Sequence, residues 1–344
     1  MKKIILLYGL LLTAIFLVLL FSVASGQTNI PFADVFHVLW ANLFTGDMTG
    51  VEQSIQSIVW QIRLPHALMA FIVGSGLALC GTILQAAVRN PLADPYILGI
   101  SSGASLGATF AILIGVGQFS FLSFSGVSAF AFLGAVLASA TVLLLAEIGR
   151  TTTTKLLLSG MIVQAICSAF ASFIIYFAQN AQGMSAVIFW TMGSLAGANY
   201  PDLALLYVLV PIVALFFLTQ TRTLDVLLLG EAASITLGIN LGKMRRIYLL
   251  IAALLTGVIV SFSGVIGFVG LLVPHIVRGI VGSSHKHLLP VSILSGGLFL
   301  IVADMLARSL ISQAELPIGI VTAMIGAPIM LLILLKKEYR FGGI

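Results

Sequence analysis

The 344 residues are 60% hydrophobic and only 8% charged, whereas a soluble domain carries roughly a quarter charged residues. So few charges cannot cover the surface of a water-soluble chain this long, which excludes a soluble enzyme or binding module and makes lipid the expected solvent. The net charge of +5 follows from where the basic residues fall along the membrane segments, so no nucleic-acid partner is expected.

In chain order, Met1-Lys2-Lys3 followed by the apolar run Ile4 to Ala24 imitates a secretory leader. The run exceeds the roughly 7–15 apolar residues of a leader and reads as a first membrane helix. Ten membrane helices are predicted, at about 4–25, 63–84, 94–116, 126–148, 154–178, 200–219, 243–263, 267–282, 288–308 and 315–336. The eighth is short and interrupted by Gly and Pro, so a broken or re-entrant span is expected there. The stretch Met184 to Asn199 is too polar and Gly-rich to span and is expected to dip into the outer face as short helices. Gly26 to Ile62 forms the long outer segment. Gln220 to Arg246 is the longest inner one and reads as two short helices separated by Gly238. The fold class is all-α, a single membrane domain over 1–344.

With the N-terminus inside, fourteen of the sixteen Lys and Arg residues fall on the inner side, and only Arg63 and Arg308 fall outside. This bias predicts cytoplasmic termini at both ends. Trp40, Trp60 and Trp190 all map to the outer boundary, the layer that amphipathic rings favour.

Several chemistries lack their residues. Gly149-Arg-Thr-Thr-Thr-Thr-Lys155 imitates a phosphate-binding loop, but Thr154 replaces its second Gly and Leu156 its Mg-binding hydroxyl. His285 and His287 read as solvated loop histidines, and no metal site is expected. Cys80 and Cys167 read as buried free thiols. Of the acids, Glu147 lies near the inner end of its helix and Asp304 pairs with Arg308 at i,i+4 spacing near the outer end. Neither suits an ion relay at mid-depth, so energy for transport would enter from a partner. Gly99, Gly103 and Gly107 recur every fourth residue as a small-residue face, for close helix packing or for lining a wide path.

Six stretches resemble a known family when taken together: Arg63-Leu-Pro-His66, Gly74-Ser-Gly-Leu-Ala78, Gln85 to Gly99, Gly230-Glu-Ala-Ala-Ser234, Gly264 to Arg278, and Glu315 to Pro328. In that order they resemble the membrane subunit of the iron-chelate and cobalamin class of ABC importers, the type II permeases. The resemblance implies ten helices per subunit, with helices 2–5 and 7–10 as inverted repeats. It implies a homodimer working with two cytoplasmic ABC ATPases and an external or periplasmic substrate-binding protein, in a bacterial inner membrane. ATP and Mg would reside on the ATPases, with no cofactor and no catalysis on this chain. Iron-siderophore or haem are the expected cargoes, with cobalamin or molybdate as alternatives.

The resemblance also assigns residues. Arg63 and Arg308 would receive carboxylates of the binding protein, with His66 standing where relatives often have a further Arg. Coupling helices at about 222–245 would contact the ATPase through Asp225, Gly230, Glu231, Ala232, Ala233 and Gly238. Asn90, Leu92, Thr153 and Thr154 would narrow the cytoplasmic end of the path, although helix capping explains the two threonines equally well.

Overall fold

The computed structural model describes residues 2–26, 28, 30–46, 50–115, 126–148, 153–178, 180–229, 240–311 and 314–335. Among these residues all regular structure is helical. The helices are α1 Lys2–Ala24, α2 Phe32–Trp40, α3 Gln53–Ser57, α4 Leu64–Val88, α5 Ile100–Ile114, α6 Gly126–Glu147, α7 Thr153–Phe177, α8 Ala181–Thr191, α9 Tyr200–Thr219, α10 Thr221–Leu229, α11 Leu241–Ser263, α12 Val269–Val281, α13 His285–Ser309 and α14 Ile318–Leu335.

Among the described residues, eight helices are long and apolar enough to cross a bilayer. The remaining two of the ten predicted spans are α5, with 15 residues, and α12, with 13. Neither alone covers a hydrocarbon core that needs about 20 helical residues. The sequence shows why. A 3-10 turn at Pro95–Leu98 and a left-handed Gly99 precede α5, and Gly264 and Phe268, both at positive φ, precede α12. The third span therefore begins later than the predicted residue 94, while the eighth is broken as expected. The two breaks meet each other. Tyr96 Oη donates to the Ile266 carbonyl at 2.9 Å and accepts from the Ile266 N–H at 3.1 Å.

The second span starts ten residues before its predicted first residue. Gln53–Val88 is one 36-residue helix that contains α3 and α4. Between them lies a widened turn, Ile58–Arg63, in which the Leu64 N–H reaches back to the Val59 carbonyl. Pro65 has no N–H to give to the preceding turn, and such a turn absorbs the mismatch. The polar residues of the 53–63 stretch hide this extension from a hydropathy reading. α8 confirms a short helix near 184–199, and Asn180 caps it by accepting from the Gly183 N–H.

Helix α4 is the central post, buried along nearly its whole length, with α13, α11, α12 and α9 packed around it. Glycines permit the approach. A Cβ on Gly74 would strike the Gly296 carbonyl of α13, and one on Gly81 the Gly270 carbonyl of α12. The α5 glycines do the same against α6, where Gly103 lies on the Gly134 carbonyl and Gly107 on that of Phe130. Gly99 packs toward Val142 and Val163. This small-residue face is therefore filled by neighbouring helices. The outer helices turn apolar side chains outward, as with Ile162, Ile166, Phe170 and Phe173 of α7, which is the expected surface toward lipid.

Replacing Gly103 by Val should cost about 1–3 kcal/mol or more, because the added carbons meet backbone that cannot move aside. Thermal unfolding in detergent measures this. Gly9→Ala, with open space around it, should leave the midpoint within about 0.5 kcal/mol of the parent.

Candidate functional site

The predicted residues gather at the two ends of the bundle. At the end opposite the basic clusters, the structure brings Arg63, His66 and Arg308 together and adds Asp304 and the last turn of α1. The three are 4%, 4% and 6% exposed. Helix α1 ends with no basic residue in its last turn, and its final carbonyls need donors. Ser25 N–H serves Phe21. Arg63 Nη1 donates to the carbonyls of Val23 at 3.3 Å and Ala24 at 2.7 Å, and its Nη2 donates to that of Thr28. Arg308 Nη2 donates to the Ser22 carbonyl at 3.3 Å and the Ser22 hydroxyl at 2.8 Å, while Nη1 reaches the Ser25 carbonyl at 3.3 Å. The two guanidiniums thus cap α1 from two other helices and meet the negative end of its dipole.

Asp304 balances this buried charge. Its Oδ2 accepts from Arg308 Nε at 3.0 Å and Nη2 at 2.8 Å, and its Oδ1 lies 3.6 Å from His66 Nδ1. The Asp304–Arg308 pair is the i,i+4 pair visible in the sequence. The partnership with His66 and the capping of α1 are long-range and were not visible there. Both arginines point inward, committed to bonds within the chain. The absence of a side chain at Gly26 leaves room for Arg63, whose Nη2 would lie 2.8 Å from any Cβ there.

At the basic end, α10 carries Asp225. Leu224 and Leu227 are buried and hold α10 against α4 and α13. The Asp225 carboxylate faces the first turn of α13. Its Oδ1 accepts from the His285 backbone N–H at 2.8 Å and lies 2.6 Å from His285 Nδ1, while Oδ2 accepts from Ser284 Oγ at 3.3 Å. An acid at a helix N-terminus satisfies an orphan N–H and the dipole together. Burial acts to raise the carboxyl's pKa, but the hydrogen bonds and charge of His285, with Ser284, outweigh it and hold the carboxyl below its ordinary value. His285 is fully buried, which corrects the reading of a solvated loop histidine. The reason is its place as the first residue of α13, turned onto an acid 60 residues earlier. The other coupling residues, Gly230, Glu231, Ala232, Ala233 and Gly238, lie outside the described residues.

Further polar ties fix this end. Tyr248 Oη donates to Gln220 Oε1 at 2.9 Å, joining the α9–α10 junction to α11. Arg278 Nη2 donates to Gln85 Oε1 at 2.8 Å, and Gln85 Nε2 donates to the Leu271 carbonyl at 3.2 Å, joining α4 to α12. Arg246 and Glu147 pair at 3.3 Å on the surface. Asn90 Oδ1 accepts from the Leu92 N–H at 2.9 Å, forming the turn after α4. Thr153 Oγ1 donates to the Val88 carbonyl at 3.1 Å, so the start of α7 is tied to the end of α4 beside that turn. Thr154 is exposed. Among the described residues no cluster of His, Cys, Asp or Glu could hold a metal ion.

The profile of the FecCD transport family matches residues 12–336, and the chain belongs to that family. It is a multi-pass membrane permease. The cobalamin import system permease protein BtuC of Halobacterium salinarum is 42% identical over 85% of this chain and 77% of its own length. The hemin transport system permease protein HmuU of Yersinia pestis is 37% identical over 96% of this chain and 98% of its own. Among solved structures, a metal-chelate type ABC transporter in an inward-facing conformation superposes with a TM-score of 0.82 at 32% identity, covering 96% of this chain and 99% of that one.

Arg308→Ala should cost about 3–5 kcal/mol, because Asp304 loses its counter-ion in a buried place. The melting midpoint should fall, and Asp304→Asn added to it should recover part of the loss. For Asp225 the folded pKa is depressed, so its contribution is intact at neutral pH, begins to fall near its ordinary value of about 4 and is lost as pH drops through the lower folded value. The protection of the His285 amide against hydrogen exchange, taken relative to the intrinsic rate at each pH, should therefore fall in acid. Asp225→Asn should remove that acid dependence.

Proposed function

We propose that this chain is the membrane permease of an ATP-driven importer for metal chelates, working as a homodimer with two ABC ATPases and an external substrate-binding protein. It sits in a bacterial inner membrane with both termini in the cytoplasm, as the distribution of basic residues supports. The relatives named for cobalamin and hemin support a bulky metal-centred cargo. Haem and iron-siderophore complexes stay first and cobalamin is the alternative.

The observation that carries the reading is the placement of α13. This 25-residue helix is about 37 Å long and joins the two ends. Asp225 of the coupling segment holds its first turn, and its last two turns carry Asp304 and Arg308. A displacement of α10 by an ATPase would thus be delivered to the outer mouth along one rod. The arginines would shape the docking surface by fixing the end of α1, with the binding protein meeting the surface they organise. Asn90, Leu92 and Thr153 would form the inner narrowing; the Asn90–Leu92 turn that follows α4 and the bond from Thr153 to the Val88 carbonyl support this reading.

The inverted repeat gains support from the breaks. Both short spans, α5 and α12, are second in their halves when α4–α7 is set against α11–α14, and their interrupted starts touch. Such paired interruptions point to the translocation path. Transport without an ATPase, driven by an ion gradient, is the reading of another class. Asp304 is already paired with Arg308 at 2.8 Å and is not free to take up a coupling ion.

Reconstitution in proteoliposomes decides between them. Haem or a ferric siderophore should accumulate only when ATPase, binding protein and ATP are all present. Uptake by the permease alone under an ion gradient overturns the proposal.

A further inference from the structure

The segment Phe32 to Gly46 stands apart from this account. Phe32, Phe36, Trp40 and Phe44 recur every fourth residue and lie along one face of α2 and the turn that extends it. They are 52%, 52%, 48% and 70% exposed. Their rings form a continuous ridge, with Phe36 and Trp40 centred 6.0 Å apart and Trp40 and Phe44 4.5 Å apart. The opposite face, Val35, Val38 and Leu39, is buried against Val23, Ile30, Val59 and Ala67. A helix at a water boundary keeps one face polar. This one is apolar on both, with Asp34 and His37 on its flanks and half-buried. Asn42, on the outward side, turns its amide back to the Val38 carbonyl at 2.9 Å.

Depth is fixed by a groove at the root of the ridge. Phe32 shares it with Leu17 and Phe21 of α1 and with Val302 and Met305 of α13, in an apolar space of about 380 Å³. Leu17 lies seven residues before the end of α1, and Val302 seven before the end of α13. At 1.5 Å per residue both are about 10 Å inside their helix ends. The first turn of α2 therefore lies below the rim of the bundle. It is continuous with the lipid-facing side of α1, where Phe16, Leu17 and Phe21 are exposed.

We propose that the Phe32–Phe44 ridge is embedded in the lipid layer, with its rings among acyl chains and an acyl chain seated in the groove between α1, α2 and α13. The outer segment is then a membrane-surface anchor that holds the mouth of the bundle at a fixed depth. It is not a face for a soluble partner. Its chemistry fits a lipid surface, because aromatic rings favour the boundary of the hydrocarbon and the exposed ridge carries no charge with which to select a protein.

The test uses the full chain in bilayers with Trp60→Phe and Trp190→Phe, leaving Trp40 as the single tryptophan. Lipids brominated on the acyl chain should quench its emission, while aqueous iodide should leave it unchanged with or without the binding protein. Quenching by iodide without quenching by the brominated chains overturns the proposal. So does shielding that appears only when the binding protein is added. If the double substitution lowers the folded yield, Phe36→Cys carrying a nitroxide reads the same depth, since Cys80 and Cys167 are buried. The label should collide with dissolved oxygen and not with an aqueous nickel chelate, and the reverse order again overturns the proposal.

Discussion

A helix that begins or ends inside a bilayer leaves four N–H or four C=O groups without partners, and hydrocarbon supplies none. The rest of the structure is arranged around this constraint. The carbonyls at the end of α1 take both guanidiniums, Arg63 and Arg308. The break before α12 is held by Tyr96, which serves the carbonyl and the N–H of Ile266 at once. Within α12, Pro274 has no N–H to give to the Gly270 carbonyl, which takes the amide of Gln85 at 3.4 Å instead. The same need is met outside the hydrocarbon at the basic end, where the first N–H of α13 takes Asp225. In each case the partner comes from a distant helix, so satisfying the backbone also joins the elements. Buried polar side chains here are the fastenings between helices that would otherwise share only apolar contact, for which lipid competes on nearly equal terms.

That division explains what could be read beforehand. Long apolar runs were legible because the bilayer demands them, and α6, α9, α11 and α14 start within about three residues of their predicted positions. The break at α12 was legible from Gly and Pro. The outer part of the second span was not, because Gln53, Ser54, Gln56 and Ser57 give it a polar look. The partners at the helix ends were hidden for another reason. Asp225 and His285 are 60 residues apart, and Gln85 and Arg278 are 193 apart; no periodicity marks a contact across such distances. What the sequence did show was anomaly. Arg63 and Arg308 were the two basic residues on the wrong side of a strong bias, and both prove to be bound to the end of α1.

The glycines complete the logic of fastening. Gly74 with Gly296 and Gly81 with Gly270 let α4 touch α13 and α12 backbone to backbone. At such contacts no side chain can rotate to absorb a shift. A packed pair of this kind moves as a unit or not at all. Slack has to lie elsewhere, at the joints where the backbone is already interrupted: the turn after α4, the stretch from Gly99 into α5, and the bend at 264–268.

These two features bear on how an input at one end could be felt at the other. If α4 and α13 form a stiff unit, a push on α10 through Asp225 is not dissipated by bending within it. The displacement would reach Asp304 and Arg308, and through their bonds the end of α1. The breaks at Tyr96 and Ile266 lie beside this unit and are tied to each other by one hydroxyl, so movement at the 264–268 bend must either carry the 3-10 turn with it or part those two hydrogen bonds. Close packing then makes the response discrete: the two broken spans are either joined or separated. A pathway bounded by such spans would open in steps set by one tyrosine, while the post beside it stays straight.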